Sequence, residues 1–166
     1  MRFLAIACAA AAFFWLAAAA LPPAGAPVAP IRFELTRLPG VLEHHPTPQR
    51  HLVETMAGGV TAFDYDGDGR IDLFFPNGAP LPSLIKQPGR DDNRLLHNDG
   101  GLVFRDVTAG SGLEGTGYAF GAAAADYDND GRVDIFVAGA QGSHLYHNEG
   151  GGHFTDVTAK AGLTTA

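Results

Sequence analysis

Beyond residue 57 the chain alternates short apolar runs with clusters of glycine, aspartate and asparagine, and no helical spacing of apolar residues persists. Small apolar residues lead into an Asp-rich segment (GGVTAFDY, residues 58–65; FGAAAADY, residues 120–127), and a second apolar run leads out of it (RIDLFF, residues 70–75; RVDIFVA, residues 132–138). A third run ends in His-Asn at His97-Asn98 and His147-Asn148. A glycine turn follows, and a fourth run reads VFRDVT (residues 103–108) or HFTDVT (residues 153–158). Turn residues recurring about every ten positions predict short β-strands throughout.

The four runs occur twice, so the chain holds an internal repeat. Asp126 repeats Asp64 after 62 residues, whereas Leu145 repeats Leu95 after 50; the surplus of 12 lies in PNGAPLPSLIKQPGRDDN, residues 76–93, whose prolines and glycines predict a loop. Four strands per unit predict an all-β fold of two β-propeller blades, the first repeat over residues 54–113 and the second over residues 114–163. Two blades leave bare strand edges, and repeat architectures need about three or more units. The expectation is an incomplete propeller: a partial chain completed by further blades in cis, or a short form that closes a ring from several copies in trans.

Ahead of the repeats, residues 1–26 combine Arg2, an apolar run over residues 3–21 and the small-residue ending Ala24-Gly25-Ala26, which predicts a signal peptide cleaved near Ala26. A retained membrane anchor is the alternative, because the run approaches the ~20 residues that span a bilayer. Cys8, the single cysteine, reads as an ordinary residue of the signal, leaving the mature chain without thiols. Residues 27–53 form a linker and N-terminal segment, stiffened by Ala and Pro up to Pro30. The expected location is therefore periplasmic, secreted or at the cell surface, with no membrane contact after cleavage.

Charge sharpens the picture. The 166 residues carry a formal net charge of -7, which argues against nucleic acid as a partner, and eight of the eighteen acidic residues lie in DYDGDGRID (residues 64–72) and DYDNDGRVD (residues 126–134). The pattern D-x-D-x-D-G-x-x-D sets carboxylates at positions 1, 3, 5 and 9, and its glycine lets the backbone turn while side chains converge. Two carboxylates ~4 Å apart repel by about 4 kcal/mol at an effective dielectric near 20, so a cation is expected at each loop. Hard oxygen ligands in that number point to calcium, two sites in all. An EF-hand would need a glutamate at position 12, where this chain has Phe75 and Val137, and helical rather than β flanks. The expected ligands are Asp64, Asp66, Asp68, the Arg70 carbonyl and Asp72, then Asp126, Asp128, Asp130, the Arg132 carbonyl and Asp134.

With these residues in place, FGAAAADYDNDGRVDIFVA resembles the FG-GAP repeat, also called a VCBS-type repeat, which builds the calcium-binding propeller blades of integrin α chains. ETMAGGVTAFDYDGDGRIDLFFPNGA, NRLLHNDGG, NEGGGHFTDVTAKAGL and GTGYAFGAAAADYDNDG resemble more narrowly the exported bacterial repeat proteins related to cartilage acidic protein, which usually end in an ASPIC/UnbV domain. The resemblance spans roughly residues 54–163 and implies the same ten calcium ligands. Family members carry about seven blades, where two units are present here.

Other polar residues read more plainly. His97 and His147 occupy matching repeat positions and are expected to be structural in the third strand. The cluster His44, His45 and His51 could bind a transition metal, but a solvated loop is the simpler expectation. Asp106 and Asp156 are expected to cap the turn after the fourth strand through side-chain to backbone bonds. No nucleophile-base grouping, acid pair or phosphate loop stands out. The chain therefore reads as a non-catalytic, exported, calcium-binding module that recognises an extracellular protein or glycan. The alternative is the propeller part of a larger secreted enzyme, such as a polysaccharide-degrading one.

Overall fold

The computed structural model describes residues 32–163 apart from 34, 41, 44 and 57; the predicted signal peptide, the tether and His44 lie outside the described residues. The chain divides into two units, Met1–Leu35 and Thr36–Ala166. In the first, Arg32, Phe33 and Leu35 are exposed and outside regular secondary structure.

The second unit opens with a 3-10 turn, Leu52–Thr55, and continues as strands only among the described residues. They are β1 (Thr61–Phe63), β2 (Asp72–Phe75), β3 (Arg94–Asn98), β4 (Phe104–Asp106), β5 (Ala119–Ala125), β6 (Asp134–Gly139), β7 (His144–Gly150) and β8 (His153–Asp156). β1 to β4 form one antiparallel sheet in chain order and β5 to β8 a second. The fold is thus all-β, with one propeller-type blade per sequence repeat, as the periodicity predicts.

Alternation explains the strands. In β2, Asp72 and Phe74 are buried while Leu73 and Phe75 are half-buried, the period-two pattern of a strand with one better-covered face. β3 is buried at four successive positions, Leu95 to Asn98, because it is covered on both faces. Phe63, Tyr65, Phe74, Leu95 and Leu113 of the first repeat join Ala119, Ile135, Val137, Tyr146 and Phe154 of the second in one core, so apolar packing runs between the blades as well as within them.

Just before β1, a glycine permits close approach to β5. A Cβ on Gly59 would stand 2.9 Å from the Phe120 carbonyl oxygen, and Thr61 Oγ1 donates to the Ala122 carbonyl at 2.7 Å. At the opposite edge, Phe154 N donates to the Ser111 carbonyl at 2.7 Å.

The segment over residues 76–93 is irregular, as predicted, but it is not a solvated loop. Asn77, Ala79, Lys86, Asp91 and Asn93 are buried. Asn93 donates to the Leu113 carbonyl at 2.8 Å and accepts from Asn77 N at 2.8 Å, while Lys86 N donates to the Thr116 carbonyl at 2.8 Å. The segment supplies its own hydrogen-bonding side chains, which lets backbone lacking strand partners be buried.

Candidate metal centre

Each Asp-rich loop closes the hairpin between the first two strands of its blade. In the first, Asp64 folds the loop around its own carboxylate: Oδ1 accepts from Gly67 N (2.8 Å) and Asp68 N (3.1 Å), and Oδ2 from Gly69 N (2.8 Å). Asp126 repeats this, accepting from Asp130 N (3.1 Å) and Gly131 N (2.9 Å). Such turns need left-handed backbone. Gly67 and Gly69 provide it in the first loop, with φ of 78° and 83°; Asn129 (62°) and Gly131 (88°) do so in the second, asparagine being the side chain that tolerates this region best.

The last carboxylate of each loop is different in kind. Asp72 and Asp134 begin the outgoing strands and are fully buried, 0% and 1% exposed. Asp72 accepts from Tyr65 N at 3.2 Å and from Asn98 N at 2.8 Å, and Asp134 accepts from Tyr127 N at 3.1 Å and Asn148 N at 2.8 Å. Burial raises the Asp72 carboxyl above its ordinary range; the two N–H donors pull it back and Asp66 pushes it further up. Burial also raises the Tyr65 phenol, with Asp66 and Asp72 adding to the shift.

Strand register then adds a group from a distant part of the sequence. Leu73 pairs with Leu96 and Ile135 with Tyr146, so one step along the ladder brings His97 opposite Asp72 and His147 opposite Asp134, side chains on the same face. His97 Nδ1 lies 3.4 Å from Asp66 Oδ2 and 3.4 Å from Asp72 Oδ1; its Nε2 is 3.9 Å from Asp68 Oδ2 and 3.4 Å from Asp99 Oδ1. His147 Nδ1 lies 3.4 Å from Asp128 Oδ2 and 3.2 Å from Asp134 Oδ1. Tyr65 and Tyr127 meet these imidazoles edge to face, with ring centroids 5.9 and 6.1 Å apart.

Every carboxylate expected as a ligand falls in a group able to grip one ion. Asp64, Asp66 and Asp72 converge in the first blade, and Asp66 and Asp68 converge with His97. In the second, Asp126, Asp128 and Asp130 converge, and Asp128 and Asp134 do so with His147. Within each group the ligand atoms lie within 4.8 Å of one another. Arg70 and Arg132 turn their guanidinium groups back onto Asp68 and Asp130, and each donates through Nε, at 2.6 Å, to the carbonyl of Asn98 or Asn148. The arginines therefore tie the loop to the third strand and offset part of its charge, a role that the pattern alone does not reveal.

Two further expectations meet the structure differently. Asp106 and Asp156 cap as predicted, accepting from Thr108 N at 3.0 Å and Thr158 N at 2.9 Å, while those threonine hydroxyls accept from Leu95 N and Leu145 N. His45 is not solvated: its Nε2 lies 3.0 Å from Asp91, itself fully buried. His51 is exposed, as expected, and precedes the 3-10 turn. His97 and His147 do stand in the third strand, but against the acidic loops; the signal was their fixed place before Asn98 and Asn148 in both repeats.

Among the described residues no helix is long and apolar enough to cross a membrane. The family model for the FG-GAP-like repeat matches residues 83–137 and again residues 126–166. The first match takes in β3 to β6, up to residue 137, and the second starts at the second Asp loop and takes in β6 to β8, so neither match coincides with one four-stranded blade. No curated protein matches the chain.

Proposed function

The chain belongs to the FG-GAP-like repeat family, and from that premise we propose that it is an exported, non-catalytic recognition module whose two blades are each held by a calcium ion. The observation that carries this reading is the loop built twice, in which three carboxylates converge within 4.8 Å of one another (Asp64, Asp66 and Asp72; Asp126, Asp128 and Asp130) and the last carboxylate, Asp72 or Asp134, is buried at the base of the hairpin. Calcium would be held by Asp64, Asp66, Asp68 and Asp72 with the Arg70 carbonyl, and by Asp126, Asp128, Asp130 and Asp134 with the Arg132 carbonyl. Extracellular calcium modules bind in the range ~0.1 to 1 mM, which suits a protein that works outside the cytoplasm.

Recognition of a glycan or protein is supported by a cavity of about 260 Å³ lined by Lys86, Asn93, Gln141, His144 and Tyr146, where hydrogen-bonding groups sit beside a stacked His144–Tyr146 pair. The same cavity is the best support for the secreted-enzyme reading, because burial lowers the Lys86 amine to about 7. Its Nζ is, however, engaged by Asn93 Oδ1 and the Glu114 carbonyl, which favours a structural lysine. Further blades are proposed as partners on one comparison: Tyr65 is buried against Phe154 of the following blade, whereas its counterpart Tyr127 is 48% exposed.

The test is a calorimetric calcium titration of the full chain with thermal melts run with and without chelator. Two sites per chain and a melt raised by calcium are expected; an unchanged melt with no binding would sink the calcium assignment. Asp66→Ala and Asp128→Ala should each abolish one site and leave the other titratable. Loss of both sites from one substitution would show that the loops do not act independently.

A further inference from the structure

We propose that His97 and His147 are metal ligands, so that each blade offers a mixed nitrogen and oxygen site for a first-row divalent transition ion, for which manganese(II), suited to a carboxylate majority, is the probe. The inference rests on the metal reading of the loops given above and changes which ions they select.

The carboxylates alone would call for nothing beyond a hard cation. The imidazole is the independent observation. His97 has a side chain only 9% exposed, and its Nδ1 is buried with no hydrogen-bond partner, although two carboxylate oxygens lie at 3.4 Å. A buried nitrogen aimed at oxygens it does not bond is costly unless something between them satisfies both. His147 repeats the arrangement: its Nδ1 is also buried and unpartnered, at 3.4 and 3.2 Å from Asp128 and Asp134. Separations of this size are those of ligands sharing one ion through bonds of roughly 2.0 to 2.4 Å.

Chemistry then narrows the ion. Calcium and magnesium take oxygen ligands, whereas imidazole suits first-row transition ions. Manganese(II) accepts carboxylates readily and stands low in the affinity series, so zinc should bind more tightly at the same ligands. Asp66 belongs to both the all-oxygen and the histidine-containing group of the first blade, and Asp128 to both groups of the second, so a transition ion and calcium would compete within each blade.

The decisive experiment adds manganese(II) to the metal-stripped full chain and reads nitrogen-14 couplings by pulsed paramagnetic resonance, with manganese and calcium affinities measured by calorimetry. Imidazole coupling in the unaltered chain is expected. It should fall to about half in His97→Gln or His147→Gln and vanish in the double variant. Each single variant should weaken manganese binding at its own blade about tenfold or more and leave calcium binding within about twofold. Manganese bound without nitrogen coupling would overturn the proposal, and so would equal weakening of both ions in the variants. Calcium binding without manganese binding would overturn it while leaving the calcium reading intact, and binding of neither ion would overturn both.

Discussion

Asn148 shows how much one side chain can settle here. Fully buried, it donates through Nδ2 to the carbonyls of Tyr65 (2.8 Å) and Val133 (3.0 Å) and accepts from Gly150 N (2.9 Å), joining the second blade to the loop of the first. Its counterpart Asn98 donates through Nδ2 to the Ile71 carbonyl, at 3.0 Å, and accepts from Gly100 N, and among the described residues that amide makes no bond to the other blade. Removing one partner leaves buried groups unsatisfied at ~1–3 kcal/mol each. Asn148→Ala should therefore destabilise the chelator-treated chain by ~2 kcal/mol or more in a urea melt, and Asn98→Ala by about 1 kcal/mol less. Equal losses would show that the bond to Tyr65 adds nothing. The dipeptide His-Asn is plain in the sequence, but its bond across 83 residues to Tyr65 is not, because that contact depends on how two blades stack.

At the scale of elements, the seam between the blades relies on backbone approaching backbone. Gly112 has φ of 84°, and a Cβ there would stand 2.1 Å from the Phe154 carbonyl oxygen, while Gly110 has φ of 79° with open space around it. Left-handed strain costs roughly 1 kcal/mol for a side chain at either site, but only at Gly112 must β8 also move. Gly112→Ala should lower stability at least ~2 kcal/mol more than Gly110→Ala. Thermal melts of the two variants decide it, and similar losses would mean that the seam can yield. Within a blade, Phe74→Ala opens the core under β2, where the ring is 0% exposed, and should cost about 3–5 kcal/mol.

Over the whole molecule, the proposed calcium ions and two buried titratable groups would tune the stability. Calcium at about 100 times its dissociation constant would add ~2.7 kcal/mol per site, worth several degrees of melting temperature. Two buried groups shape the alkaline side. Burial lowers the Lys86 amine from 10.5 to about 7, against the pull of Asp92 and Asp91, and raises the Tyr146 phenol from 10.0 to about 12, with Asp156 and Glu114 adding to it. A lowered amine penalises the fold while it must be charged, and that penalty lifts as pH rises from about 7 to 10.5, where the amine is neutral in both states. The raised phenol acts oppositely: its contribution is intact below pH 10 and is lost as pH climbs towards 12. Urea midpoints should therefore gain on Lys86→Met between pH 7 and 10, and a constant difference between the two proteins would refute the buried-amine account.

Local chemistry is what the amino-acid order carries outright. The glycine-punctuated Asp loops, the short strands and the Asp-x-Thr caps that bond two residues on rest on near neighbours, so each was readable as a string, although the bonds from the loop backbone to Asp64 and Asp126 were not. The doubling of these short-range patterns was enough to define two blades of four strands. What lay beyond reach depends on register and burial, which are properties of strands already paired. The ladder puts His97 against Asp72 across the inserted segment and His147 against Asp134 without it. Packing also turns residues 76–93 into a buried polar network and sets His45 against Asp91. Separation along the chain carries no information about these meetings, because a strand ladder sets side chains opposite one another whatever the length of the connection between them.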